Sequence, residues 1–279
     1  MVEKICITYS HHKLGDLIWQ LPYIKAISDH HNKKIDLIVR EKTQAKEILK
    51  DLNYINVIHY NNFRKKFFYW IDVFKLKKIF AKENYSHVYI LDKINKPAVA
   101  AKLAGIKNII GPGIKRQKKW LTNKDFLEDR DWYLSYSEQS QKLLKLNNIN
   151  IKDVYPHIEV KPSSLDRFKK NFSYNGKKIA FGVDSFEDYK IWYEENFIEL
   201  ANKFYDRKVF DYIYLVCGKD KQHIVKNIIA KSNRNYFIDC SDLKLIDIIG
   251  AIKDSDFFVG NNSGPLNLAA ALDLSLIHI

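Results

Sequence analysis

Asp16 in YSHHKLGDLIWQLP, Lys190 in DYKIWYEEN and Ser263-Gly264 in GNNSGPLNLAAAL are the residues whose types and spacing could do chemistry. Phe257-Phe258-Val259 reads as a strand covered on both faces, and Pro265 fits the first turn of a helix, where its missing N–H costs nothing. Leu266, Leu268, Ala269, Ala270 and Leu272 then supply a packing face. Asn262, Ser263 and Gly264 therefore fall in a tight strand-to-helix turn at the carboxyl end of a parallel strand. Ligands of open α/β sheets bind there, and free N–H groups at a helix start attract anions. The plain alternative is that Ser263 is an N-cap and the glycine relieves a crowded turn.

Asp16 opens a predicted helix. A carboxylate in that place could take a proton from a hydroxyl, or it could serve as the helix N-cap. Lys190 stands with Trp192 just before another helix. It could hold a phosphate as a point charge, or be one more solvated lysine in a lysine-rich chain. A third turn, YLVCGKDKQH, carries Gly218 and Gln222. The first turn has one glycine and lacks the G-x-G-x-x-G fingerprint, which disfavours a nicotinamide-dependent enzyme.

The elements that must position these residues alternate along the whole chain. Strands are expected at 4–9, 34–39, 57–60, 87–91 and 108–110, and helices at 16–30, 43–52, 67–83, 96–104 and 137–146. Residues 114–135, basic and aromatic, read as an irregular loop, and PHIEVKPSSLDRF reads as an interdomain linker. A second series follows, with strands at 178–181, 212–216, 236–239, 257–259 and 276–279 and helices at 194–204, 222–231, 243–252 and 265–272. Strands alternating with helices of this length imply right-handed βαβ units in mostly parallel sheets. The expected class is α/β, with two Rossmann-like domains, 1–160 and 161–279, facing a cleft.

With 46% apolar and 28% charged residues, the chain is a globular protein and not a disordered one. No apolar run approaches the roughly 20 residues needed to span a bilayer. VEKICITYS reads as a strand and not as a signal peptide, so a cytoplasmic location is expected. Cys6, Cys217 and Cys240 lie in or beside apolar runs without C-x-x-C spacing, as buried, reduced thiols would. The nine histidines are scattered apart from the pairs His11-His12 and His30-His31. Sequence neighbours rarely chelate one ion, so no metal site is expected. A formal charge of +13 favours anionic partners, whether nucleotides, phospholipid surfaces or nucleic acid, without choosing among them. Part of that charge can come from the drift toward lysine in an AT-rich genome. No nucleic-acid recognition motif accompanies it, and nucleic acid is not an expected partner.

Taken together, the motifs point further. GDLIWQLPYIKAI resembles the signature of glycosyltransferase family 9, whose best-known members are lipopolysaccharide heptosyltransferases. AKLAGIKNIIGPG resembles that family's segment closing the N-terminal half. The K-x-W at 190–192 resembles its lysine-bearing loop, and GNNSGPLNLAAAL its D-S-G-x-x-H-L-A-A-A-L motif. The matches fall in the family's order and cover nearly the whole chain.

The resemblance implies a GT-B fold with an N-terminal acceptor-binding and a C-terminal nucleotide-sugar-binding domain. It implies a metal-independent, inverting transfer of a sugar from a nucleotide diphosphate to a lipopolysaccharide-type envelope glycolipid. Heptose is the expected sugar and ADP-heptose the expected co-substrate, with no other cofactor. Asp16 maps to the general base, Lys190 to the lysine on the donor's phosphates, and Ser263 and Gly264 to the backbone that holds the diphosphate. Ser185, Gln222, Asn262 and Asn267 complete the implied donor set. Three of the positions depart from the pattern: Asn262 replaces the family's Asp, Asn267 its His, and Gln222 a frequent Glu near the ribose. Each keeps hydrogen-bonding capacity and loses a charge or a titratable group. They favour the rival reading, a non-catalytic GT-B-like protein that binds a nucleotide or a membrane surface, while the retained Asp16 and Lys190 oppose it.

The family continues beyond the point where LSLIHI ends this chain, so a fragment is expected. FRKKFFYWIDVFKLKKIF (63–80) interleaves aromatics with lysines, as interfacial helices do. It is expected either to meet the cytoplasmic face of the inner membrane or the lipid acceptor, or to be a core helix with solvated lysines.

Overall fold

The computed structural model describes residues 3–49, 51–64 and 66–279. The chain divides into two units, Met1–Pro156 and His157–Ile279. The first holds β1 (Ile5–Thr8), α1 (Leu14–Ile18), α2 (Leu21–His31), β2 (Ile35–Val39), α3 (Ala45–Leu49), β3 (Ile55–Tyr60), α4 (Tyr69–Glu83), β4 (His87–Ile90), α5 (Lys96–Leu103), β5 (Asn108–Ile110) and α6 (Tyr136–Leu146). The second holds α7 (Pro162–Asn171), β6 (Lys178–Gly182), α8 (Glu194–Asp206), β7 (Tyr212–Val216), α9 (Gln222–Ser232), β8 (Phe237–Asp239), α10 (Leu245–Lys253), β9 (Phe257–Gly260), α11 (Gly264–Ala271) and β10 (Ser275–His278).

Each unit carries one five-stranded sheet, in the orders β3-β2-β1-β4-β5 and β10-β9-β6-β7-β8. Every pairing is parallel. The chain leaves β1 toward one edge and returns to the other side of β1 as β4, and it does the same around β6 and β9. Two topological switch points result, and loops at the carboxyl ends of such strand pairs diverge enough to admit a ligand. At the second, the strands approach closely. A Cβ on Gly260 would sit 2.6 Å from the Gly182 carbonyl oxygen, and one on Gly182 would sit 2.4 Å from the Phe258 ring.

Apolar strands make the two cores. Ile5, Cys6, Ile7, Leu37, Ile38, Val88 and Ile90 are buried in the first, and Ile179, Phe181, Ile213, Leu215 and Val259 in the second. Strands buried on both faces are what α-helices covering a parallel sheet require. Cys6, Cys217 and Cys240 are unpaired and buried, and burial pushes the Cys217 thiol up to about 12.

Three expectations need correction. The helix expected over 16–30 is broken into α1 and α2, because Pro22 lacks the N–H that an unbroken helix would use and its ring crowds the carbonyl four residues back. The helix expected over 43–52 is a 3₁₀ turn, Glu41–Thr43, followed by the short α3; Lys50 lies outside the described residues. Part of the expected linker is α7. Pro162 there starts a helix instead of breaking one, with Ser163 and Ser164 behind it in the first turn. Its Phe168 is buried, stacked on Phe172 at 4.8 Å, in the space that Gly250 leaves on α10.

Of the alternatives for 63–80, α4 bears out the core helix on one side and leaves aromatic side chains exposed on the other; Lys65 lies outside the described residues. Val73, Leu76 and Phe80 are buried against the sheet. The other side leaves Trp70 and Phe74 each 56% exposed, with Phe67 just before the helix 93% exposed. Among the described residues, no helix is long and apolar enough to cross a membrane.

Candidate active site

The first unit presents Asp16 on the turn that follows β1. Lys13 occupies the N-cap position of α1 and Asp16 falls in the first turn, so capping does not account for it. Its Oδ2 lies 2.9 Å from His11 Nδ1, and both side chains are partly exposed. The His11 ring packs on Tyr136, at the start of α6, with ring centroids 4.0 Å apart. Beneath the turn, buried Asp92 follows β4 and accepts from the Ser10 and Ile94 N–H groups. Arg40, after β2, donates to the Ser10 carbonyl and to the carbonyls of Asn62 and Phe63. The loops leaving β1, β2, β3 and β4 are thereby joined around the Asp16 turn. Burial pushes the Asp92 carboxyl up, and the N–H groups of Ser10 and Ile94 pull it only part of the way back.

The basic, aromatic stretch expected as an irregular loop contains two 3₁₀ turns, Lys115–Trp120 and Asp129–Tyr133. Buried Gln117 donates from Nε2 to the carbonyls of Asp92 and Ile94. Lys93 and Lys115 lie over the Trp132 ring, at 4.1 and 4.6 Å from its centroid. Cationic side chains thus stand on the same loops that fix Asp16.

In the second unit, three loops meet at the carboxyl end of the sheet. Ser185 Oγ, after β6, donates to the Asn262 carbonyl, after β9, at 3.0 Å. The Trp192 N–H donates to Asn261 Oδ1 at 3.0 Å, which ties the loop bearing Lys190 to the same turn. The Gly218 N–H, after β7, donates to Asp184 Oδ2 at 2.7 Å. Asn261 is fully buried, and its Nδ2 has no hydrogen-bond partner; nor has the buried Asp184 Oδ1.

Ser263 sits at the N-cap position of α11, yet its side chain makes no capping bond, and its Oγ is buried without a partner. The capping alternative for Ser263 therefore fails. A Cβ on Gly264 would meet nothing within 4 Å, so the helix start is open. Asn267 Nδ2 donates to the Ser263 carbonyl at 2.9 Å and so steadies the turn from within the helix. Uncapped N–H groups with space before them suit an anion.

Lys190 ends a 3₁₀ turn, Asp188–Lys190, and its Nζ lies 2.6 Å from Glu187. The hydrogen bond to Glu187 raises its affinity for the proton. Such a partly exposed i,i+3 pair is weak and readily exchanged for another anion. Gln222 stands elsewhere, at the start of α9, and donates to the Ser241 carbonyl and to Asp242 Oδ1 toward the β8 edge. The structure thus brings together Ser185, Asn262, Ser263, Gly264 and Asn267, joins the Lys190 loop to them, and sets Gln222 apart.

Sequence reasoning missed His11, Tyr136, Asn261 and Asp184. His11 was visible as a basic group five residues before Asp16, across one turn. Asn261 and Asp184 gave no signal, since their roles rest on contacts between distant loops.

The family model for glycosyltransferase family 9 (heptosyltransferase) matches residues 73–279. The fold resembles that of E. coli ADP-heptose lps heptosyltransferase II, at 17% identity and a TM-score of 0.79, covering 99% of this chain and 84% of that one. A family 9 glycosyl transferase from Veillonella parvula aligns with a TM-score of 0.82 at 15% identity, over 99% of this chain and 80% of that one. E. coli heptosyltransferase WaaC, solved with ADP, aligns at 0.72 and 17% identity, over 99% and 86%. No curated protein sequence matches the chain.

Proposed function

The chain belongs to glycosyltransferase family 9, and from that premise we propose that it transfers a heptose from ADP-heptose to a lipopolysaccharide-type glycolipid, with inversion and without a metal ion in the chemistry. The observation that carries this reading is the open start of α11, where Ser263 makes no capping bond and Gly264 leaves room. Two of the similar structures are described with ADP-heptose or ADP in their names, which supports the choice of nucleotide.

In the proposed reaction the acceptor oxygen attacks the anomeric carbon as its proton passes to Asp16. A carbon–oxygen bond forms, and the bond to the diphosphate breaks with its electron pair leaving on ADP. His11 holds the Asp16 carboxylate in place at 2.9 Å. The charge that builds on the leaving diphosphate meets the N–H groups at the start of α11 and Lys190 once Glu187 releases it. Donors fixed before the reaction need no reorganisation as charge develops, which is why a divalent ion is dispensable. Ser185 and Asn261 keep the donor turn in shape, and Gln222 acts at the nucleoside end.

The exposed side of α4 is the proposed contact with the cytoplasmic membrane face. Aromatic rings with lysines beside them suit the boundary between headgroups and acyl chains.

Screening the purified chain against a panel of nucleotide sugars with a glycolipid acceptor, by mass spectrometry, tests the reading. Heptose transfer from ADP-heptose that persists in excess chelator is expected. Transfer only from a different nucleotide sugar, or only with added metal, contradicts it.

A further inference from the structure

We propose that Glu3, His31 and His87 form a binding site for a divalent transition-metal ion of the zinc class, at the end of the first unit's sheet opposite to Asp16. Glu3 leads into β1, His87 opens β4, and His31 lies at the end of α2. Ile5 pairs with His87 in the register of β1 and β4, so Glu3, two residues before β1, comes beside the start of β4.

Glu3 Oε1 lies 3.3 Å from His31 Nδ1 and 3.2 Å from His87 Nδ1. Zinc bonds of about 2.0–2.2 Å to nitrogen and oxygen place the ligand atoms of a tetrahedron roughly 3.3–3.5 Å apart. Two edges of such a tetrahedron therefore already stand near their required length. One ligand atom from each of the three residues lies within 4.8 Å of the others, so small imidazole rotations close the third edge. The side chain of Glu3 is 39% exposed, which leaves a fourth position for water.

The surroundings also suit a metal. His31 Nε2 lies 2.8 Å from the hydroxyl of Tyr89, which is buried. With Nδ1 on the ion, Nε2 keeps its proton and donates it to Tyr89, and this fixes both tautomer and ring. The rings of His31 and His87 are tilted against each other at 4.7 Å, and His87 stacks on Tyr89 at 6.3 Å.

Sequence reasoning set the histidines aside because His30-His31 and His11-His12 are poor chelating pairs. The fold pairs His31 with His87 instead, from elements remote in the chain. An ion there would pin the segment before β1 to β4 and α2 and would take no part in sugar transfer.

Zinc titration of the chelator-treated full chain, by calorimetry and by melting, tests the site. One ion per chain and a higher melting temperature in zinc are expected. Glu3→Gln removes a ligand from a partly exposed position, and His87→Gln removes one at a strand start. Each should weaken zinc binding by at least about tenfold and abolish the rise in melting temperature. Far-UV circular dichroism should show both variants folded, and Glu3→Gln decides the matter if His87→Gln is not. Absence of zinc uptake, or uptake unchanged in the folded variants, overturns the proposal and leaves a hydrogen-bonded Glu–His–His cluster.

Discussion

His11 Nδ1 stands 2.9 Å from Asp16 Oδ2, on one turn after β1, with the His11 ring set against Tyr136. The pair gives Asp16 a fixed orientation without burying it, which is what a base facing an incoming hydroxyl needs. Asp16→Asn should leave melting nearly unchanged and lower turnover by about 10²–10⁴-fold, the usual yield of general base catalysis. His11→Ala should lower kcat less, by roughly tenfold, with the donor KM unchanged and the pH profile altered, as for a positioning residue. Steady-state kinetics across pH checks both, and a donor KM that rises with kcat unchanged would place His11 in binding instead.

Lys190 is held by Glu187 in this structure, and a diphosphate must compete for it. Lys190→Ala should weaken ADP binding by about tenfold or more, the range of a charge-assisted hydrogen bond. Glu187→Gln should act the other way and tighten ADP binding. Calorimetry with ADP reads both. Equal affinity in all three chains would make Lys190 a surface lysine.

Asp184 supplies the pH dependence. Burial pushes its carboxyl up; the Gly218 N–H lowers it without cancelling that effect, and Asp220 adds to the rise. The fold therefore favours the protonated form, and stability that depends on it is lost as pH rises through the raised value. Protonation also removes a negative charge beside the turn proposed to hold the diphosphate. ADP affinity should rise toward acid more steeply in the parent than in Asp184→Asn, with the ionisation of ADP itself common to both. Parallel pH curves for the two chains would dissociate Asp184 from the donor.

The aromatic side of α4 is separable from its core side. Trp70→Ser with Phe74→Ser should leave melting within a degree or two, because Val73, Leu76 and Phe80 carry the packing. The same double variant should lose flotation with anionic vesicles. Flotation that is equal with anionic and neutral vesicles, or unaffected by the substitutions, would leave this side as ordinary surface.

Much of this was legible in the chain. The alternation of apolar strands and amphipathic helices carries the two parallel sheets, because period and turn chemistry are local properties. The breaks were less legible: Pro22 splits one helix and Pro162 starts another, and the same residue type gives opposite outcomes according to its place in the turn. Within the candidate site, the placement of Asp16, Ser263 and Gly264 at strand-to-helix turns was readable. Asn261, Asp184 and the His31–His87 pair were not, since only the strand order decides which loops and strand starts become neighbours.

The most direct test of the central claim is a single mass-spectrometric assay of heptose transfer from ADP-heptose to a lipopolysaccharide-type acceptor, run with the parent chain and with Asp16→Asn. The parent should release one ADP for each heptosylated acceptor, and Asp16→Asn should release almost none while still binding ADP as tightly. Turnover by Asp16→Asn within a few-fold of the parent, or no transfer from ADP-heptose by the parent, would contradict the account.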